Sequence, residues 1–101
     1  MTELTPKQKS HLRGLGQRFK YIATVGKAGL TPALTENISH LLDQHELIKV
    51  SIPAGPGPER QETAQALAEA TGAALVGLIG RVVLIYRPND QLPPDRRVPT
   101  E

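Results

Sequence analysis

The sequence contains no cysteine. Disulfides, thiolate metal sites and cysteine nucleophiles are excluded together, which removes both the stapled secreted scaffold and the zinc ribbon. Tryptophan is also absent, and the aromatic residues amount to Phe19, Tyr21 and Tyr86. Phe19 is expected in the core and the two tyrosines as strand packing, too few rings for the base-stacking sheet of an RRM or OB-fold. No apolar run approaches the roughly 18 residues that cross a bilayer. Met1 to Ser10 lacks the hydrophobic stretch of a secretory signal, so a cytoplasmic location is expected.

What remains is a chain of 101 residues, 39% hydrophobic and 22% charged. That length makes one domain, with enough apolar material for a small core and too much for a disordered chain. The net charge is +2, but it is unevenly spread. Up to residue 29, Lys7, Lys9, Arg13, Arg18, Lys20 and Lys27 face Glu3 alone, a net +5. Residues 30 to 80 hold two bases against six acids, a net −4, and the remainder is +1. A basic N-terminal third on an acidic body is the footprint of an anionic partner, nucleic acid being the commonest.

Thr5-Pro6-Lys7-Gln8 combines a capping threonine, a first-turn proline and a third-position glutamine. These make a capping-box start for a short helix from Pro6 to about Arg13, where Gly14 and Gly16 interrupt it. Lys20 to Val25 is β-branched and aromatic and reads as a first strand. Thr31-Pro32 repeats the cap and proline, and Leu34, Ile38, Leu41 and Leu42 form one buried stripe on a helix to about Gln44. In Leu47 to Ile52 the apolar Ile48, Val50 and Ile52 alternate with Lys49 and Ser51, as in a half-buried strand.

Residues 53–58 (PAGPGP) should form a mobile connection to a helix over Glu59 to Ala70, ended by Gly72. Ala73 to Ile79 and Val82 to Arg87 are apolar strands around Gly80-Arg81, a tight hairpin signal. Pro88 to Glu101 carries four prolines without an apolar pattern and is expected to be a disordered tail. The order is α-βαβαββ, an α/β (α+β) chain with a mixed four-stranded sheet. Its strand-helix-strand steps should be crossovers between parallel strands.

Between the first strand and the second helix lies Gly26-Lys27-Ala28-Gly29. Glycines let the main chain approach a ligand, helix-entry amides supply donors and Lys27 a cation, so an anion fits there. In KH domains a GXXG loop clamps the sugar-phosphate backbone of single-stranded RNA. Arg18 and Lys20 lie just upstream. On the first helix Lys7 and His11, and Lys9 and Arg13, are spaced four apart, and a polyanion would turn the repulsion between such pairs into attraction.

Four segments carry a wider resemblance: LTPKQKSHLRGLG, VGKAGLT, HELIKV and TGAALVGLIGRVVLIYRP, spanning about residues 3 to 88. In this order and spacing the chain resembles the CRM domain (chloroplast RNA splicing and ribosome maturation), in its bacterial single-domain YhbY type. The resemblance implies a fold like the C-terminal domain of translation initiation factor three, with an added N-terminal helix. It also implies RNA binding through the GxxG loop and adjacent basic surface, and association with precursors of the large ribosomal subunit. Carried over, the loop is Gly26, Lys27, Ala28 and Gly29, and the basic helix residues are Lys7, Lys9, His11 and Arg13. The Pro-rich segments 53 to 58 and 89 to 101 depart from the family pattern.

Chemistry finds no support beside this. His45-Glu46-Leu47-Ile48-Lys49 places a lysine where a zinc protease needs its second histidine, and the run reads as strand. His11, His40 and His45 lack ligand spacing, Gly26 to Thr31 is no Walker loop, and no serine sits in an elbow such as G-x-S-x-G. No enzyme, metal or cofactor is expected. Recognition should rest on phosphate contact and RNA shape, with Arg81 and Arg87 expected to extend the basic surface. The alternative class is a protein-interaction adaptor that docks an acidic partner through its basic face, its glycine loop merely a tight turn.

Overall fold

The computed structural model describes residues 3–100, so Met1 and Thr2, at the start of the N-terminal segment expected to lack a signal, and Glu101, at the end of the expected tail, lie outside the described residues. Helix α1 spans Pro6–Gly16, strand β1 Tyr21–Thr24, helix α2 Pro32–His45 and strand β2 Leu47–Ser51. Helix α3 spans Gly57–Thr71, followed by strands β3 (Ala74–Ile79) and β4 (Val82–Tyr86). The α-βαβαββ order is the one expected.

The strands form one sheet in the order β1-β2-β4-β3. β1 runs parallel to β2, while β4 is antiparallel to both β2 and β3. Thus β2 and β3 run the same way, as a helical crossover requires, but the last strand is inserted between them. Ile79 pairs with Val82 across the tight Gly80-Arg81 turn, where Gly80 has φ +60.

The two faces of the sheet carry separate cores. On one, Ile48, Val50, Val83 and Ile85 pack against Ile38 and Leu42 of α2 and Ala64, Leu67 and Ala68 of α3. The alternation of Leu47–Ser51 and the α2 stripe meet there, as their spacings predict. On the other face, Leu47, Val76, Leu84 and Tyr86 pack beneath Leu12, with Leu4, Leu15 and Val98 at the edge. Truncating a fully buried residue such as Leu12 or Ile38 to alanine would cost about 2–5 kcal/mol.

Helix starts follow the caps. Thr5 Oγ1 accepts from the Gln8 amide at 3.1 Å while the Thr5 amide donates to Gln8 Oε1 at 2.9 Å, a complete capping box. Thr31 Oγ1 caps α2 through the Leu34 amide at 3.2 Å. α1, however, runs three residues beyond the expected stop at Arg13. Its glycines serve contact instead of termination: a Cβ on Gly16 would lie 2.8 Å from Leu84 Cδ2, so the missing side chain lets the helix end rest on β4. α3 likewise begins at Gly57, earlier than Glu59, and Arg60 ties the preceding loop by donating to the Gly55 carbonyl (3.0 Å) and the Gly80 carbonyl.

The tail departs most from expectation. Residues 89–100 were expected to lack structure, yet Pro94–Arg96 forms a 3-10 turn and the segment is held by Glu46, whose side chain is fully buried. The Glu46 carboxylate accepts from the Asn89 and Val98 amides, each at 2.6 Å, and from Arg97 Nε at 3.2 Å. Glu46 ends α2 with φ +63, a backbone cost of roughly 1–3 kcal/mol that these charge-assisted bonds offset.

Candidate nucleic-acid interface

The glycine loop leaves the sheet at a defined point. Thr24 pairs with Ser51, and the Val25 amide donates to the Ser51 carbonyl at 2.8 Å, so Gly26 starts where β1 and β2 both end. The loop then folds on itself: the Gly29 amide donates to the Gly26 carbonyl at 3.0 Å and the Thr31 amide to the Gly29 carbonyl at 3.1 Å. Gly29 sits at φ +74, which a side chain would strain. Gly26, Lys27 and Ala28 are exposed. Among the described residues the amides of Lys27 and Ala28 bond to no protein group, so these donors and the exposed Lys27 side chain are free of protein partners beside the positive end of α2.

The β3-β4 hairpin tip lies at the same end of the sheet, since the Ile52 amide donates to the Arg81 carbonyl at 2.8 Å. Two strand spacings, about 10 Å, separate β1 from β4 there. Arg81 therefore stands on the loop's side of the molecule. Arg87 does not: its guanidinium donates to Ser39 Oγ (3.0 Å), the Ser39 carbonyl (2.8 Å), the Thr71 carbonyl (2.6 Å) and Asp43 Oδ1 (2.7 Å). It clamps α2 to the end of α3 and has its charge neutralised by Asp43.

α1 covers one end of its sheet face and leaves the other open. There a groove of about 560 Å³ is bounded by Arg13, Phe19, Lys20, Tyr21, Lys49 and Ile79, and among the described residues no Asp or Glu lines it. Tyr21 and Lys49 are directly paired across β1 and β2, so their side chains share this face. Lys49 donates through Nζ to the Phe19 carbonyl at 3.0 Å, fixing the turn between α1 and β1. Arg13 Nη1 donates to the Val76 carbonyl at 3.2 Å, its stem lying 3.3 Å from where a Gly77 Cβ would be.

The expected residues thus divide. Arg13 and Lys20 line the groove, Arg18 is exposed in the turn leading to it, and Gly26 to Gly29 lie at the sheet edge above β1. Lys9 instead shares a recess with Glu3 and Glu69 beside the start of β3, across the sheet from the loop. Lys7 is exposed on the first turn of α1, and His11 is half-buried with its Nε2 unbonded among the described residues. Lys49 is the residue that sequence reasoning missed, because it was counted within an acidic stretch. Its position opposite Ile48 and Val50 in the alternation was the available signal.

Two expectations about aromatics are corrected here. Phe19 is 39% exposed and Tyr21 55% exposed, whereas Tyr86 is buried at 3%. Apolar residues default to the interior, but Phe19 and Tyr21 sit at the end of the sheet face that α1 leaves open.

A family profile described as the CRS1 / YhbY (CRM) domain matches residues 4–87. A Haemophilus influenzae protein named as an RNA-binding protein is 35% identical over 91 residues, covering 90% of this chain and 92% of that protein. A Bacillus subtilis protein, YqeI, named a probable RNA-binding protein, is 33% identical over 84 residues, covering 83% of this chain and 88% of its own length. The solution structure of SAV1595 from Staphylococcus aureus superposes with a TM-score of 0.79 at 36% identity, covering 87% of this chain and 92% of that one.

Proposed function

The chain belongs to the CRS1/YhbY (CRM) domain family, and on that premise we propose that it is a non-enzymatic, cytoplasmic RNA-binding protein. Its RNA is ribosomal, in precursors of the large subunit, where the protein acts as an assembly factor. The observation that carries this reading is the Gly26–Gly29 turn, with exposed Gly26, Lys27 and Ala28 and unbonded amides, at the same end of the sheet as Arg81. Arg13, Lys20 and Lys49 extend the cationic surface along a groove with no acid among its described lining residues. Relatives named as RNA-binding proteins support the choice of ligand.

The mechanism is capture without bond chemistry. Amide donors and ammonium groups replace counterions on phosphates, and the released ions drive association. Main-chain donors at a glycine turn read the sugar-phosphate chain and carry no base code, so affinity is largely independent of sequence there. The acidic remainder keeps the rest of the surface from competing for the same polyanion.

Crosslinking in growing cells, followed by sequencing of the attached RNA, tests the reading. Reads concentrated in precursor large-subunit ribosomal RNA, and depleted in a Lys27→Ala strain, are expected. Capture of an acidic protein with no enriched RNA would favour an adaptor and overturn it.

A further inference from the structure

The groove beside α1 has a composition that phosphate binding alone does not explain. Two of the chain's three aromatic rings, Phe19 and Tyr21, are exposed in it, together with Ile79, which is 76% exposed. Exposed apolar side chains gathered in one concavity mark a binding site more often than chance. Its rim is Arg13, Lys20 and Lys49, and no acid is among its described lining residues. The occupant must therefore combine a flat apolar face with negative charge a few ångströms away. An acidic peptide offers the charge but not, without an aromatic residue, the flat face, and an apolar helix lacks the charge. A nucleotide with its base out of the stack offers both.

We propose that this groove receives an unpaired nucleobase stacked on Tyr21 or Phe19, with the flanking phosphates held by Lys20, Lys49 and Arg13. The site thereby selects RNA that is single-stranded where it crosses the α1-β1 turn. This rests on the RNA-binding reading above and adds a substrate class to it. Two features prepare the site. The register of β1 on β2 puts the Tyr21 ring on the same face as the Lys49 stem. The bond from Lys49 Nζ to the Phe19 carbonyl fixes the backbone that presents the second ring. A duplex cannot use such a groove, because its bases stay stacked within an A-form helix.

The test compares the wild-type chain with a Phe19→Leu/Tyr21→Leu double variant, which keeps apolar bulk and removes the rings. Each is titrated with a short oligoadenylate carrying one 2-aminopurine and, separately, with a blunt RNA duplex. Stacking on an aromatic side chain strengthens single-strand binding by roughly fivefold to a hundredfold per base. The expected result is a loss of at least about fivefold for the oligoadenylate, with lost 2-aminopurine quenching and unchanged duplex affinity. Unchanged oligoadenylate affinity, or an equal loss for both RNAs, overturns the proposal.

Lys27→Ala is the separate arm. Weakened binding of both RNAs by Lys27→Ala, beside an aromatic variant indistinguishable from wild type, rejects the groove and leaves the RNA-binding reading standing. No binding of either RNA by the wild-type chain rejects both. If the double variant loses cooperative unfolding, Tyr21→Leu alone, at the more exposed ring, carries the same comparison.

Discussion

The ammonium of Lys49 donates to the backbone carbonyl of Phe19 at 3.0 Å, across thirty positions of the chain. A β2 side chain thus holds the turn that delivers the basic residues of α1 to β1, and one cation serves both structure and surface charge. Replacing it by Met keeps the stem and removes charge and donor. Folding stability should change by less than about 1 kcal/mol, since the bond is exposed, while RNA affinity falls on the order of fivefold. Urea unfolding and anisotropy titration of Lys49→Met check the two effects side by side.

Glu46 anchors the tail, and its loss should be felt there first. Glu46→Ala removes the acceptor shared by the Asn89 amide, the Val98 amide and Arg97. A destabilisation of about 2–3 kcal/mol is expected from the charge-assisted bonds. Amide hydrogen exchange of 89–98 should accelerate well before that of β2, and RNA affinity at a temperature where the domain is folded should hold.

Gly16 is a packing glycine. Adding a methyl group brings Cβ within 2.8 Å of Leu84 Cδ2, so Gly16→Ala must displace a side chain at the floor of the groove. Overpacking of this kind costs about 1–3 kcal/mol, against the gain in helix propensity that alanine would bring at an open position. Gly14 supplies the control, because nothing lies within 4 Å of its Cβ position. Gly14→Ala should stabilise, and thermal unfolding of both variants should show opposite shifts.

Burial raises the Tyr86 phenol above its ordinary value of 10.0; the Glu46 carboxylate adds to the rise and Arg97 opposes it. A group whose folded pKa exceeds its unfolded one contributes stability below the unfolded value and loses it as pH rises through the folded value. The wild-type chain should therefore lose more stability above about pH 10 than Tyr86→Phe does. Lysine titration is common to both proteins and cancels in the difference between their urea midpoints.

Helices and strands were readable from this sequence because local chemistry announces them. Thr5-Pro6 and Thr31-Pro32 set two helix starts, and Leu34 to Leu42 and Ile48 to Ile52 carry their buried faces in their spacing. Strand order was not readable, since the insertion of β4 between β2 and β3 depends on pairing between distant segments. The same holds for the tail, whose partner Glu46 lies about fifty residues upstream and whose composition gives no apolar period. At the site, the glycine loop and the cations Arg13 and Lys20 were legible as types in a pattern. The exposure of Phe19 and Tyr21 was not, because it follows from how far α1 reaches across the sheet.

The salt dependence of single-stranded RNA binding tests the central claim most directly. For the wild-type chain, the logarithm of affinity should fall linearly with the logarithm of salt concentration. The slope should become shallower by about 0.7 for each phosphate contact removed, in Lys27→Ala and again in Lys20→Ala/Lys49→Ala. Affinity that ignores salt, or variants that share both the wild-type affinity and its slope, would contradict the account.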